Sequence, residues 1–515
     1  MKKLNLSILL IASVAVISGF TSCKKDVPVS GVNIEQDNLL VRVGSSSKLS
    51  YSVTPIDATN KEVSFASRNI NAATVGTDGT VTGVSIGETW VVVTTMEGNF
   101  KDSSKIMVDP AAGSSITLAG NITANMSLKS DVNYILDGWV YVKDGATLTI
   151  EAGTIIKGKT GSKASLIIER GGKIMAEGTA QKPIVFTSDK PAGQRSAGDW
   201  GGLILCGKAP INPTGGEAEI EGGVGSKYGG TNAADNSGVL KYVRVEFAGY
   251  AFAPDKEING ITFGGVGSGT VVDYVQVSFS NDDSYEWFGG SVNCKHLIAF
   301  SGLDDEFDTD YGFNGNIQFA VGLRDPNIAD ISKSNGFESD NDATGSTNSP
   351  LTNPKFANVS LFGPKPTTDA TANSLYASAM HLRRRTSLEV YNSVFAGWPK
   401  GLLMADSKGA AGNIQVKGVV LAGINDNWAG NAAGEEAFFM DAARANRTFP
   451  TTAELNLTSP FTLATPNFLP KAGSPLLTGG VTVPAGLEST SYVGAFGTTD
   501  WTTGWANFTP QTSVY

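Results

Sequence analysis

The sequence predicts an all-β protein: a small β-sandwich followed by a long parallel β-solenoid. Three observations carry this. Glycine is abundant, at 61 of 515 residues, only 17% of residues are charged, and no long helical heptad pattern occurs. Between Gly31 and Val108 short runs alternate apolar and polar residues with a period of two, as half-buried strands do. From about Ser114 short apolar strands recur every six to twelve residues, with several intervals near 20–22, the length of one solenoid coil. A chain of this length holds two or three domains rather than one.

The first element is a targeting segment. Lys2-Lys3 precede the mainly apolar stretch Ile8 to Phe20, which is too short to span a bilayer and reads as a signal peptide over residues 1–22. Phe20-Thr21-Ser22-Cys23 resembles a bacterial lipobox. That resemblance implies acylation at Cys23, a lipid anchor with the membrane as partner, and a tether over residues 23–30. Lys24 stands where an Asp would resemble an inner-membrane retention signal, so the expected location is the outer membrane. Lys24-Lys25-Asp26 resembles the short charged signals of lipoproteins that reach the cell surface. The remaining cysteines, Cys206 and Cys294, are expected as buried free thiols or as one disulfide. A net charge of −10 excludes nucleic acid as a natural partner, because phosphate binding needs basic patches.

Residues 31–108 contain VRV (41–43), LSYSV (49–53), VSFAS (63–67), ATV (73–75), GTVTGV (79–84) and TWVVVTT (89–95), a pattern for about seven sandwich strands. Pro55, Ala58-Thr59-Asn60, Ala73-Thr74-Val75, Gly79, Gly83 and Gly87 occur in the order found in group 2 bacterial immunoglobulin-like (Big2) domains, and nearly the whole segment resembles that family. The resemblance implies a spacer or adhesive module.

Residues 114–515 continue with WVYVKDGATLTIEAGTIIKG (139–158), SLIIERGGKIMAEG (165–178), LKYVRVEFAG (240–249), DYVQVSFSN (273–281), KHLIAFSG (295–302), NIQFAVG (316–322) and later runs of the same kind. Asn-Gly hairpin turns, which a second large sandwich would need, are scarce. LTIEAGTIIKG and RGGKIMAEGTAQKPIVFTS resemble the opening coils of right-handed parallel β-helices of the pectin-lyase-like fold. GDWGGLILCGKAPIN (198–212) and NDDSYEWFGGSVNCKHLIAF (281–300) resemble a family of outer-membrane β-helix lipoproteins. From about residue 425 a C-terminal cap is expected, with a short helix in EEAFFMDAARAN (435–446).

One stretch of the solenoid stands out chemically. Between Asp282 and Asp342 there are thirteen acidic residues against three basic ones, Lys295, Arg324 and Lys333. A shift of 22 residues superposes Asp282-Asp283 on Asp304-Asp305 and Tyr285-Glu286 on Phe307-Asp308. A shift of 30 carries Phe307-Asp308 onto Phe337-Glu338, and a shift of 20 carries Gly302-Leu303 onto Gly322-Leu323. Such columns place carboxylates roughly 4.8 Å apart, where like charges repel and call for a cation, a basic partner or water. Asp282, Asp283, Asp304, Asp305, Asp308 and Asp310 are candidate ligands for Ca2+, which takes six to eight oxygens in irregular geometry. Solvated turns and a catalytic carboxylate set are the alternatives.

Tyr285, Trp287 and Tyr311 lie beside these acids, as sugar-stacking candidates or as solenoid core. His381, Arg383 and Arg385 would share one strand face, either neutralising the acids or gripping an anionic sugar group. The expected function is non-catalytic binding of a glycan or another surface ligand, with polysaccharide or a surface protein as partner. The first alternative is a calcium-dependent polysaccharide lyase with Arg324 or Arg383 as base, a mechanism that resemblance to lyases of this fold implies. The second is a structural or adhesive surface protein.

Overall fold

The computed structural model describes residues 25–253, 256–404, 414–428 and 432–515. The predicted signal peptide and Cys23 lie outside the described residues. The chain divides into two compact units, one ending at Ala112 and the other spanning Gly113–Tyr515.

In the first unit, Asn38–Arg42, Lys101–Asp109, Gly87–Thr95 and Val63–Ser67 form a four-stranded sheet in that spatial order. Ser46–Lys48, Thr80–Gly83 and Ala73–Val75 form a three-stranded one, and Gly31–Ile34 pairs with Tyr51–Thr54. The alternation seen in sequence fixes the faces: Thr89, Val91, Val93 and Thr95 point inward from one strand, and Ser104, Ile106 and Val108 from its neighbour. They close on Ile34, Val41, Leu49, Ala73 and Val81. Among the described residues nine strands occur, against about seven expected; Gly31–Ile34, Ser46–Lys48 and Lys101–Asp109 are the strands without a run singled out in the sequence.

The second unit is a parallel β-helix in which, among the described residues, 26 strands join into one continuous ladder. Three strand columns wind around a single interior. Long strands such as Val271–Ser278, Asn293–Phe300, Asn316–Leu323 and Lys355–Phe362 each supply two columns, because each bends at one left-handed residue. Those residues are Tyr274, His296, Phe319 and Asn358, with φ of 56°, 49°, 61° and 53°. Side chains in this conformation cost about 1–2 kcal/mol each. Stacking offsets much of it: Tyr242, Tyr274, His296 and Phe319 lie ring on ring, with centroids 4.5, 4.2 and 5.2 Å apart. Cys206 and Cys294 are buried free thiols.

The third column carries the acidic run. It comprises Ile261–Val266, Tyr285–Gly290, Phe307–Asp310, Phe337–Ser339 and Ser378–Leu382. Tyr285 pairs with Phe307 and Phe307 with Phe337, as the shifts of 22 and 30 predict. The shift of 20 is corrected: Gly322-Leu323 pair with Ala299-Phe300, not with Gly302-Leu303. Matching letters there reflect composition rather than register.

The short helix is Ala432–Phe439, its Phe439 ring 5.3 Å from Trp428 near the last coil. The chain beyond it does more than cap. Leu455, Phe468, Leu476, Val493, Phe496 and Trp505 cover the outward apolar residues Ile298, Phe300, Val321, Leu323 and Phe362. The tail runs back along the coils, pinned where Asn392, Gln318, Gln276, Arg195 and Lys157 donate to the carbonyls of Val481, Glu488, Asn507, Pro510 and Tyr515. Strands such as IQFAVGL are apolar on both faces, so their outer face needs a cover.

Candidate functional site

Side-chain parity along the third column separates core from site. Tyr285, Trp287, Phe307, Thr309, Phe337, Ser339, Met380 and Leu382 point inward and are fully buried. The intervening residues point outward, in two columns. Glu286 pairs with Asp308, Asp308 with Glu338, and Glu338 with His381. Phe288 pairs with Asp310, and Asp340 and Arg383 continue that second line.

This parity corrects two ligand-contact candidates. The Tyr285 hydroxyl lies 2.8 Å from the Val275 carbonyl, and Trp287 stacks on Phe263 and Phe313 at 5.6 and 5.4 Å. Both are interior packing, out of reach of a sugar. Tyr311 differs: it is half-buried, packs against Phe288 with the rings tilted and their centroids 5.7 Å apart, and borders an open groove of about 840 Å³. Glu286, Phe288, Asp308, Asp310 and Asp340 also line the groove. Its wall is Glu219–Gly223 with Tyr228, and Arg383 and Arg384 contribute from a neighbouring coil. Glu219 and Glu221 had no signal in the sequence, because they come from an insertion between coils, far from the acidic run.

The basic stretch is also rearranged. The strand ends at Leu382, and Arg384 and Arg385 take φ of 47° and 67°, so Arg385 leaves the face that holds His381 and Arg383. Arg385 Nε instead donates to the Gly345 carbonyl at 2.7 Å. Arg383 Nε donates to both Asp340 oxygens at 2.8 and 3.0 Å, its Nη2 contacts Glu338, and Arg384 Nη1 reaches Asp340 at 2.7 Å. His381 Nδ1 is 3.2 Å from Glu338 Oε2. Burial works against the Arg383 charge, but Glu338 and Asp340 outweigh it and hold the guanidinium protonated.

Arg324 is not a candidate base. It is 1% exposed, paired with Glu306 at 3.1 Å, and donates to the carbonyls of Asp304 and Leu303 at 2.6 and 3.0 Å. It fixes the turn that presents Asp304 and Asp305.

The turn acids form a ladder. Asp283 Oδ1 accepts the Asp305 N–H at 2.9 Å, Asp305 Oδ1 accepts the Asn335 N–H, and Asn335 Oδ1 accepts the Ser378 N–H at 3.1 Å. Each side chain thereby satisfies the backbone of the next coil. The ladder does not use every oxygen. Asp304 Oδ1 and Asp308 Oδ1 are shielded from solvent and accept no hydrogen bond. Oxygens of Asp283, Glu286 and Asp308 lie within 4.8 Å of one another, as do those of Asp282, Asp283 and Asp304. Glu286, absent from the sequence candidates, thus joins the set, whereas Asp310 accepts its own turn N–H, from Tyr311, at 2.6 Å.

Burial pushes Asp282, Asp283, Glu286, Asp305 and Asp308 well above the usual carboxylate range, reinforced by the neighbouring negative charges. Burial also raises Asp304 to about 7 and Asp310 to about 8. The cluster therefore takes up positive charge, as protons or as a cation. Its oxygen-only donors, their irregular spacing and the two orphaned oxygens fit Ca2+.

Comparison with known proteins gives two family matches. Residues 120–459 match the pectate-lyase-like beta helix domain, and residues 28–106 match the bacterial Ig-like domain (group 2). An uncharacterized protein of Bacillus cereus is 40% identical over 87 residues, which are 16% of this chain and 66% of that protein. An alpha-L-arabinofuranosidase of Bifidobacterium longum is 34% identical over 103 residues, 20% of this chain and only 10% of that protein.

Proposed function

Because the chain belongs to the pectate-lyase-like β-helix family, with a group 2 bacterial Ig-like domain ahead of the helix, we propose that the acid-lined groove binds a glycan through a Ca2+ ion without cleaving it. The observation that carries this is the convergence of Asp283, Glu286 and Asp308 oxygens within 4.8 Å, two of these residues, Glu286 and Asp308, lining an open groove. Asp283, Glu286 and Asp308 would hold the ion, which offers its remaining coordination positions to sugar oxygens. Tyr311 supplies a partly exposed ring for a sugar face, and Asp310 and Asp340 accept hydroxyl hydrogen bonds. The arabinofuranosidase likeness agrees with a glycan-related setting, over a small part of that protein.

Binding is favoured over β-elimination by the state of Arg383, the base candidate that borders the groove. A lyase base must release its proton, and Arg383 is clamped by Glu338 and Asp340 in its charged form. The Ig-like unit and acylated Cys23 serve as spacer and anchor on the outer membrane in this proposal.

The test is retention on a glycan array with Ca2+ or with EDTA, beside an ultraviolet assay for unsaturated products on uronate polymers. Calcium-dependent retention without product is expected. Tyr311→Ala should weaken retention about fivefold, about 1 kcal/mol, while leaving the fold intact. Retention that ignores both EDTA and Tyr311→Ala would remove the groove from consideration, and product formation would replace binding by catalysis.

A further inference from the structure

The loop after Phe337–Ser339 borders two grooves: Ala343 lines the acid-lined one, and Pro350 and Leu351 line a second. The second groove is open, holds about 620 Å³, a size typical of small-ligand sites, and shares no lining residue with the first. Its polar lining comes from successive coils. Asn316, Lys355, Glu389 and Gln415 pair in one column, and Asn314, Asn353 and Ser387 stand two residues before the first three. Of these, Asn314, Asn353, Ser387, Glu389 and Gln415 face the groove.

Two polar groups of the lining lack protein partners. Ser387 is 4% exposed, yet its Oγ meets no hydrogen-bond partner. The half-buried Gln415 makes no side-chain hydrogen bond among the described residues. A buried hydroxyl left unpaired costs about 1–3 kcal/mol, so Ser387 calls for a polar partner supplied from the groove. Glu389, by contrast, is already engaged. Its Oε2 accepts from the Tyr391 hydroxyl at 2.5 Å, its Oε1 from Asn353 Nδ2 at 3.2 Å, and Lys355 Nζ stands 3.8 Å away. Among the described residues Glu389 is the one charged group of the lining, and Lys355 balances it.

We infer that this second groove binds a neutral saccharide chain lying along the coil axis. Sugar hydroxyls both donate and accept, which matches the Ser387 hydroxyl and the Gln415 amide. Coils advance about 4.8 Å each, close to the advance of one sugar in an extended chain. Pro350 and Leu351 give apolar surface to sugar C–H faces. A uronate would meet the Glu389 carboxylate, and an amino sugar would have to displace Lys355 and Tyr391 from it.

The site needs no cation and no residue of the acid-lined groove, so it is tested in EDTA. The full-length protein is titrated by calorimetry with cellohexaose, xylohexaose and mannohexaose, and with hexagalacturonate as the charged counterpart. One neutral hexamer should bind about tenfold more tightly than hexagalacturonate. Ser387→Ala and Gln415→Ala should each weaken that binding about fivefold. Ser387→Ala should leave Tm unchanged or higher, because it removes a hydroxyl without a partner, and Tyr311→Ala should leave this binding unchanged. If one of the two groove variants fails to fold, the other carries the test. No uptake of any neutral hexamer at millimolar concentration overturns the site. Binding that Tyr311→Ala abolishes and both groove variants retain belongs to the acid-lined groove and also overturns it. Equal or tighter binding of hexagalacturonate overturns the neutral class. An uncharged Gly-Ser hexapeptide that binds with the same sensitivity to both variants overturns the saccharide assignment.

Discussion

Trp287 and Tyr311 are both aromatic neighbours of the acidic run, yet they have opposite roles, decided by the side to which each points. Trp287 fills the coil interior against Phe263 and Phe313, so Trp287→Ala should lower unfolding free energy by about 3–5 kcal/mol in chemical denaturation. Tyr311→Ala should change stability much less, because its ring is only half-buried at the groove edge. A parity count in sequence separates the inward Tyr285, Trp287, Phe307 and Phe337, all odd-numbered, from the outward Glu286, Asp308, Asp310, Glu338 and Asp340, all even, but it misplaces Tyr311, which is odd-numbered yet lies just past the strand end at Asp310 with a φ of 49°. Arg324 could not be assigned that way. It lies just past the strand Asn316–Leu323, and only the packed structure reveals that it grips the Leu303 and Asp304 carbonyls.

At the scale of elements, the turn ladder and the outward acids are coupled through proton uptake. In the cation-free protein, Asp304 and Asp310 have folded values of about 7 and about 8, above the ordinary 3.8. The folded state therefore binds more protons than the unfolded one in this window. Stability from these groups is complete below pH 3.8 and is lost as pH rises through about 7 to 8. Tm measured in EDTA should fall between pH 5 and pH 8 from this contribution, and saturating Ca2+ should flatten the decline; equal slopes with and without Ca2+ would count against a cation at these acids. The returning tail is a second element with a testable role. Deleting residues 481–515 removes the Val493, Phe496 and Trp505 cover from Ile298, Phe300, Val321 and Leu323. The truncated protein should bind hydrophobic dye and melt at lower temperature, since an exposed apolar strip of this kind favours aggregation.

For the whole molecule, function depends on where the groove is presented. The proposed anchor predicts that Cys23→Ala moves the protein from the membrane fraction to the soluble fraction, read by fractionation and immunoblot. An unchanged distribution would remove the lipid anchor from the proposal.

Much of the architecture was legible in the chain because it repeats. Period-two alternation in TWVVVTT sets the sandwich core, and the 22-residue shift from Asp282-Asp283 to Asp304-Asp305 sets the register of neighbouring coils. Ladder hydrogen bonding makes sequence spacing and spatial stacking the same quantity, so columns such as Glu286–Asp308–Glu338 could be counted. Three features were decided only by tertiary structure. The left-handed Arg384 and Arg385 turn Arg385 off the strand face; the insertion carrying Glu219 and Glu221 folds over as the groove wall; and the C-terminal tail returns along the helix flank. None of these obeys the coil repeat. The acidic run was visible as charge from the start, but which oxygens remain without partners depends on which backbone N–H groups reach them, and that is fixed only when the coils stack.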